Sequence, residues 1–230
     1  MWEVIEGLKR AIELIVSGDP AVLDATFRSL YISGTATLLA LVWSLPLGIL
    51  IGSKTFRGKK LVKGFFNALL GIPTVGLGLI LYLIFSKSGP LGTLHALYTP
   101  TAIIIGQAIL ITPIMVSFSA NAVEAIGKEV RDLAKTLGAS ESEASMAVLR
   151  EALPGVTLAI IAGFNRAIAE LGIALMLGGN IAGLTRVLTT TIALETTRGN
   201  FELGIALTII LLSIVFTLNF AVNILKREQT

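Results

Sequence analysis

The uncharged runs of this chain decide its solvent. No charged side chain lies between Arg28 and Lys54, and none between Lys63 and Lys87. A helix of about 20 apolar residues crosses a bilayer core, since each residue adds about 1.5 Å to a layer of about 30 Å. Only 14% of the residues are charged and the mean hydropathy is +0.84, against about 25% charged residues in an ordinary soluble domain. Backbone polar groups in lipid must be satisfied internally, so runs of this kind are read as membrane helices.

Five spans are expected, at residues 29–51, 65–85, 101–123, 155–177 and 203–225. Pro46, Pro73 and Pro113 fall in or at the edge of spans, which membrane helices tolerate because neighbouring groups re-satisfy the freed carbonyls. Gly48 and Gly52, four residues apart, suit close approach of another helix. Ahead of the spans, Trp2, Ile5, Leu8, Ile12 and Ile15 recur at helical spacing, with Glu6, Lys9, Arg10 and Glu13 on the other side. Residues 1–18 are therefore expected to form an amphipathic helix, lying in the membrane interface or packed on the rest, ended by Asp19-Pro20. The acidic residues argue against a signal peptide. Residues 19–230 form the membrane domain.

Basic residues orient the spans. Eleven fall on one side: Lys54, Arg57, Lys59, Lys60, Lys63, Lys128, Arg131, Lys135, Arg150, Lys226 and Arg227. Six fall on the other: Lys9, Arg10, Arg28, Lys87, Arg186 and Arg198. The richer side is read as cytoplasmic, with the N-terminus outside and the C-terminus inside.

Several chemistries are disfavoured. Without cysteine there is neither a disulfide nor a thiolate metal site. The one histidine, His95, cannot build a multi-histidine site and is read as a polar loop residue. The stretch "GSKTFRGKK" has the wrong spacing for a phosphate loop and puts Lys60 where Ser or Thr is needed. No nucleophile–base pair stands out, so no enzyme, cofactor or metal site is expected, and nothing points to nucleic acid.

The polar segment at residues 125–153 interrupts this apolar pattern. Ile126, Val130, Leu133, Ala134 and Leu137 form one helical stripe. Gly138 stands where a helix end favours a left-handed residue, and Ser140 with Glu143 has the form of a capping box. Two short helices around a glycine turn are expected, the second running toward Pro154 at the start of the next span. Such a knob suits a partner's groove; an ordinary solvated loop fits the local pattern as well.

The segment "DLAKTLGASESEASMAV" resembles the EAA motif of ATP-binding-cassette (ABC) importer permeases: Asp132-Leu133-Ala134, then Gly138, then the aliphatic Val148. Asp and Leu replace the usual Glu and Ala, and Arg150-Glu151 stands where Leu-Pro is usual. The resemblance runs in span order over nearly the whole chain. It implies an all-α polytopic fold, the type I ABC importer (MetI-like) transmembrane domain. It also implies docking of Asp132, Leu133, Ala134, Leu137, Gly138, Ala139 and Ser140 on a separate ATPase subunit.

The stretch from Gly163 to Phe201, with Arg166, Ala167, Glu170, Gly172 and Gly179-Asn180-Ile181, resembles permeases of oxyanion importers for molybdate, tungstate and sulfate, most of all the tungstate subfamily. The resemblance implies a homodimer in the cell membrane, two ATPase chains and an extracytoplasmic oxyanion-binding protein. Molybdate, sulfate, phosphate or amino-acid cargo and an ATP-independent secondary transporter or channel stand as alternatives.

Arg166 and Glu170, four residues apart inside a span, are placed to pair on one helix face; they either line the anion path or fix the helix. "GIPTVG", with Pro73, Thr74 and Gly76, either frees backbone donors along that path or is a simple kink. Asn180, Arg186 and Arg198 are candidates for docking the binding protein, in a stretch that reads equally as a solvated connector.

Overall fold

The structure, a computed structural model, describes residues 2–227. Its helices are α1 (Trp2–Val16), α2 (Pro20–Ser53), α3 (Lys59–Leu69), α4 (Thr74–Phe85), α5 (Pro100–Thr136), α6 (Glu141–Ile168), α7 (Gly172–Gly178), α8 (Leu188–Thr197) and α9 (Phe201–Arg227). Four of them, α2, α5, α6 and α9, are long and apolar enough to cross a membrane, and α3 with α4 makes a fifth if the bent pair is one span.

Helix α5 is the axis. Two-thirds (67%) of its apolar stretch is buried, against 17% for α9 at the edge. Helices α2 and α6 flank α5 and make the most extensive contacts in the protein with it. A stripe of small residues explains the close approach of α2. Ala36, Ala40, Ser44, Gly48 and Gly52 recur at every fourth position, and all are buried. A Cβ on Gly48 would stand 2.9 Å from Ser119 Cβ and 3.0 Å from the Val116 carbonyl; one on Gly52 would stand 2.7 Å from the Ala120 carbonyl. Between lipid-embedded helices the drive to associate is packing and not water exclusion, so such close backbone approach is what holds them. Larger apolar groups fill the rest of the core, with Ile32 of α2 and Ile103, Ile111 and Met115 of α5.

Three expected elements are corrected. The second span is not one straight helix over 65–85. It breaks at Leu70–Pro73, and α3 and α4 meet at 96°. Proline without an N–H, next to a residue it pushes out of the α region, ends α3 and starts α4. The fourth span does not run to Leu177; it stops at Ile168, and α7 follows after Ala169–Leu171. The polar segment does not hold two short helices. Its first half is the end of α5 and its second half the start of α6, which carries Pro154 inside it. At 37 residues α5 is about 55 Å long by its rise, well beyond a core of about 30 Å. No proline stands between Val123 and Lys135, and the one glycine there, Gly127, does not break the helix, which continues past the apolar stretch.

Helix α1 packs along α9. It buries Ala11 and rests Leu14 on a cluster with Val22, Leu188 and Leu207. The apolar stripe points elsewhere, leaving Ile5, Leu8 and Ile12 exposed; the side chains of Trp2 and Glu6 lie outside the described residues.

Candidate functional site: a polar corner, two facing helix breaks and a bonded loop

The corner between α5 and α6 is built by local chemistry. Gly138 has φ +88°. This left-handed turn lets Gly138 N–H reach the Lys135 carbonyl at 2.9 Å and Ala139 N–H the Ala134 carbonyl at 3.0 Å, the Schellman pattern that satisfies a helix's last acceptors. Ser140 then caps α6: its Oγ accepts from Glu143 N–H at 3.4 Å, and Glu143 Oε2 accepts from Ser140 N–H at 2.8 Å. Across the corner Lys135 pairs with Glu141 at 2.6 Å, and Arg131 donates to Ser145 Oγ at 3.1 Å. Replacing Ser140 by alanine is expected to cost about 1 kcal/mol of local stability, read as faster amide exchange over the first turn of α6 with no change elsewhere.

The apolar stripe of this segment divides in two. Ile126 and Val130 face inward and pack with Leu149 against Val123, Val148 and Ala152. Leu133 and Leu137 are 62% and 79% exposed, and Met146 of α6 is 52% exposed. The corner thus carries large apolar side chains in the open among charged ones.

The second feature appears only in three dimensions: the break between α3 and α4 meets the break between α6 and α7. A Cβ on Gly172 would stand 3.0 Å from Val75 Cγ2, 3.1 Å from Thr74 Oγ1 and 3.2 Å from Glu170 Oε1. Gly78 packs on Met176 in the same interface, and α4 lies against α7. At α4, Pro73 offers no side-chain cap. Leu77 N–H bonds to the Pro73 carbonyl at 2.9 Å, and the N–H groups of Thr74, Val75 and Gly76 ahead of it are the donors every helix start leaves open.

Glu170 organises the other break. It is 2% exposed. Its Oε2 accepts from Arg166 Nη1 at 2.6 Å, its Oε1 accepts from Ile173 N–H at 3.1 Å, and its carbonyl accepts from Thr189 Oγ1 at 2.9 Å. One residue thus ties α6, α7 and α8. Glu170→Ala strands Arg166 and uncaps α7. The expected loss is roughly 2–3 kcal/mol, at the low end for a buried pair because the Arg166 side chain is 34% exposed; thermal unfolding in detergent measures it.

The loop from Gly179 to Val187 is internally bonded. Arg186 donates to the Asn180 side chain and carbonyl, both at 3.3 Å. Thr185 donates to the Gly178 carbonyl at 2.6 Å and accepts from Ile181 N–H at 2.9 Å. Two residues of α2 anchor the loop: Arg28 donates to the Arg186 carbonyl at 3.1 Å, and Ser29 Oγ accepts from Leu188 N–H at 2.7 Å. Arg198 lies apart, exposed and paired with Glu195 at 2.9 Å. Sequence reasoning passed over Ser29 and Thr189. Their signal was a hydroxyl beside apolar residues, which says that a partner exists without saying where.

Four long apolar helices, a bent α3–α4 pair and a polar corner make the layout of a helical transmembrane domain. Among solved structures, the inward-facing MetNI methionine ABC transporter matches with a TM-score of 0.70 over 91% of this chain and 96% of that chain, at 19% identity, a likeness of fold. The family model for binding-protein-dependent transport system inner membrane components matches residues 44–229, and the chain belongs to that family. Among curated relatives, the tungstate uptake system permease protein TupB of Peptoclostridium acidaminophilum is 39% identical over 99% of this chain and 100% of its own length. A probable anion ABC transporter permease protein of Haloferax volcanii is 40% identical over 91% of this chain and 92% of its own.

Proposed function

We propose that this chain is the permease subunit of an ATP-driven tungstate importer. The observation that carries the reading is the end-to-end 39% identity to a tungstate uptake permease. The corner between α5 and α6 supports the mechanism. Asp132, Leu133, Ala134, Leu137, Gly138, Ala139 and Ser140 dock on a separate ATPase subunit, with Leu133 and Leu137 as the apolar anchors. Because α5 and α6 are continuous from the corner into the membrane, a push on the corner moves both spans as levers.

Five spans enclose no pathway alone, so the working unit is a homodimer with the path near its two-fold axis, two ATPase chains below and an oxyanion-binding protein outside. The α3–α4 and α6–α7 breaks are the gate: Pro73 opens the first break, Thr74 and Gly76 supply backbone donors, and Arg166, held by Glu170 through Nη1, supplies its remaining N–H donors. Asn180 and Arg186 shape the outer loop, and Arg198, exposed and paired with Glu195, stands beside it, for docking the binding protein. The cell membrane holds the chain with its N-terminus outside and its C-terminus inside, and α1 lays its open apolar stripe into the interface. Molybdate and sulfate stand as second cargoes, since permeases so named are 28% and 25% identical.

The test is reconstitution in proteoliposomes with the ATPase and binding protein. Tungstate uptake that requires all three components and ATP is expected. Uptake by the lone chain without ATP overturns the reading, and uptake of molybdate or sulfate but not tungstate moves it to the second cargo.

A further inference from the structure

Where α2 ends against the corner, two cavities of about 450 Å³ and 310 Å³ share Ser53, Thr55, Arg131 and Val148 as lining. A water occupies about 30 Å³ of liquid, so the larger one holds a small ion with several waters. The charges around them are unbalanced. Glu124 already bridges Lys59, at 3.2 Å, and Lys63. Glu141 bridges Arg131, at 3.4 Å, and Lys135, at 2.6 Å. Lys54 lines the larger cavity and has no acidic partner among the described residues. On the walls of the two cavities, three cations, Lys54, Lys59 and Arg131, stand against two carboxylates, Glu124 and Glu141.

Arg131 is incompletely satisfied. One of its terminal nitrogens reaches Ser145 and Glu141, but its Nε is buried without a protein acceptor. Buried donors are almost always bonded, and a guanidinium is shaped to give parallel bonds to the oxygens of a tetrahedral or planar anion. A polar cavity, an excess of positive charge and an unanswered guanidinium N–H are three separate observations on one spot.

We propose that this cavity is a binding site for a tetrahedral oxyanion, either free in solution or as a lipid phosphate headgroup, held by Arg131, Lys54 and the Thr55 hydroxyl. The site is separate from the gate at Arg166. Its assignment to the cytoplasmic side rests on the orientation proposed above. An anion there ties the end of α2 to the corner between α5 and α6, so its occupancy stiffens the joint through which the ATPase acts.

The experiment uses the full chain, without ATPase, in phosphatidylcholine nanodiscs open on both faces, so that neither orientation nor transport enters the result. Sodium tungstate, sulfate and phosphate are titrated by calorimetry. One anion per chain is expected. Lys54→Gln, whose side chain holds nothing else in place, and Arg131→Gln each weaken binding about tenfold, the loss of one charge-assisted contact. Lys87→Gln, which the sequence reading puts on the other side of the membrane, leaves it unchanged. In discs containing phosphatidylglycerol, weaker titration of the wild type, with that lipid retained by the wild type and lost by Lys54→Gln, assigns the headgroup as occupant. Unchanged affinity in both cation variants, an equal loss with Lys87→Gln, or neither anion nor lipid bound overturns the site.

Discussion

Gly138→Val abolishes import while ATP hydrolysis continues. That is the expected result in the reconstituted complex, with uptake down at least about tenfold and hydrolysis within about twofold of normal. The argument is one of backbone and not of space. A Cβ at Gly138 meets nothing within 4 Å, so a larger side chain fits. At φ +88°, however, an L residue is strained, by roughly 1–2 kcal/mol and more when β-branched. The turn relaxes by leaving the left-handed region, and the bonds from Gly138 and Ala139 back to α5 go with it. The corner then points elsewhere, and Leu133 and Leu137 no longer reach the ATPase together. Because the strain is confined to four residues outside the bundle, the spans fold as before. Gly138→Asn tests the cause, since asparagine tolerates this conformation far better and should keep most of the transport. Normal uptake by the valine variant would remove the coupling role of the corner.

The second large effect falls inside the membrane. Gly52→Leu should prevent α2 from seating on α5 and leave little folded permease. A Cβ at this position lies 2.7 Å from both the Ala120 carbonyl oxygen and Val123 Cβ. Neither the carbonyl nor a β-carbon moves without its helix, unlike the tip of a flexible side chain. Overpacking of this kind costs about 1–3 kcal/mol where the structure can yield, and more where two backbones must separate. Gly34→Ala on the same helix is the control: its Cβ meets nothing within 4 Å, and a helix-interior alanine is favoured over glycine by about 1 kcal/mol. Yield and unfolding temperature in detergent compare the two. Equal stability would mean that the α2–α5 contact does not hold the bundle.

The corner was legible because its chemistry is local. Gly138, Ser140 and Glu143 lie within one six-residue stretch, so their order in the chain is their geometry. The length of the helices on either side was not. The notion of short helices came from reading polarity as a boundary, whereas α5 crosses from lipid to water without a breaker and changes only which groups it shows. Arg166 and Glu170 were legible as a pair, one turn apart. That Glu170 also caps α7 and receives Thr189 was not, because the break after Ile168 carries neither proline nor an early glycine.

Sequence alone determined that the chain crosses a membrane, where the polar corner sits and which turn it makes. All of these follow from interactions between residues about four positions apart or from transfer out of water. The tertiary structure decided that Gly48 and Gly52 face α5, that Gly172 meets Thr74 across two helix breaks, and that Lys54 shares a cavity with Arg131. In lipid every apolar face is solvated equally well, so hydrophobicity cannot select which faces meet. Shape and a few polar bonds select them, and these act between segments far apart in the chain.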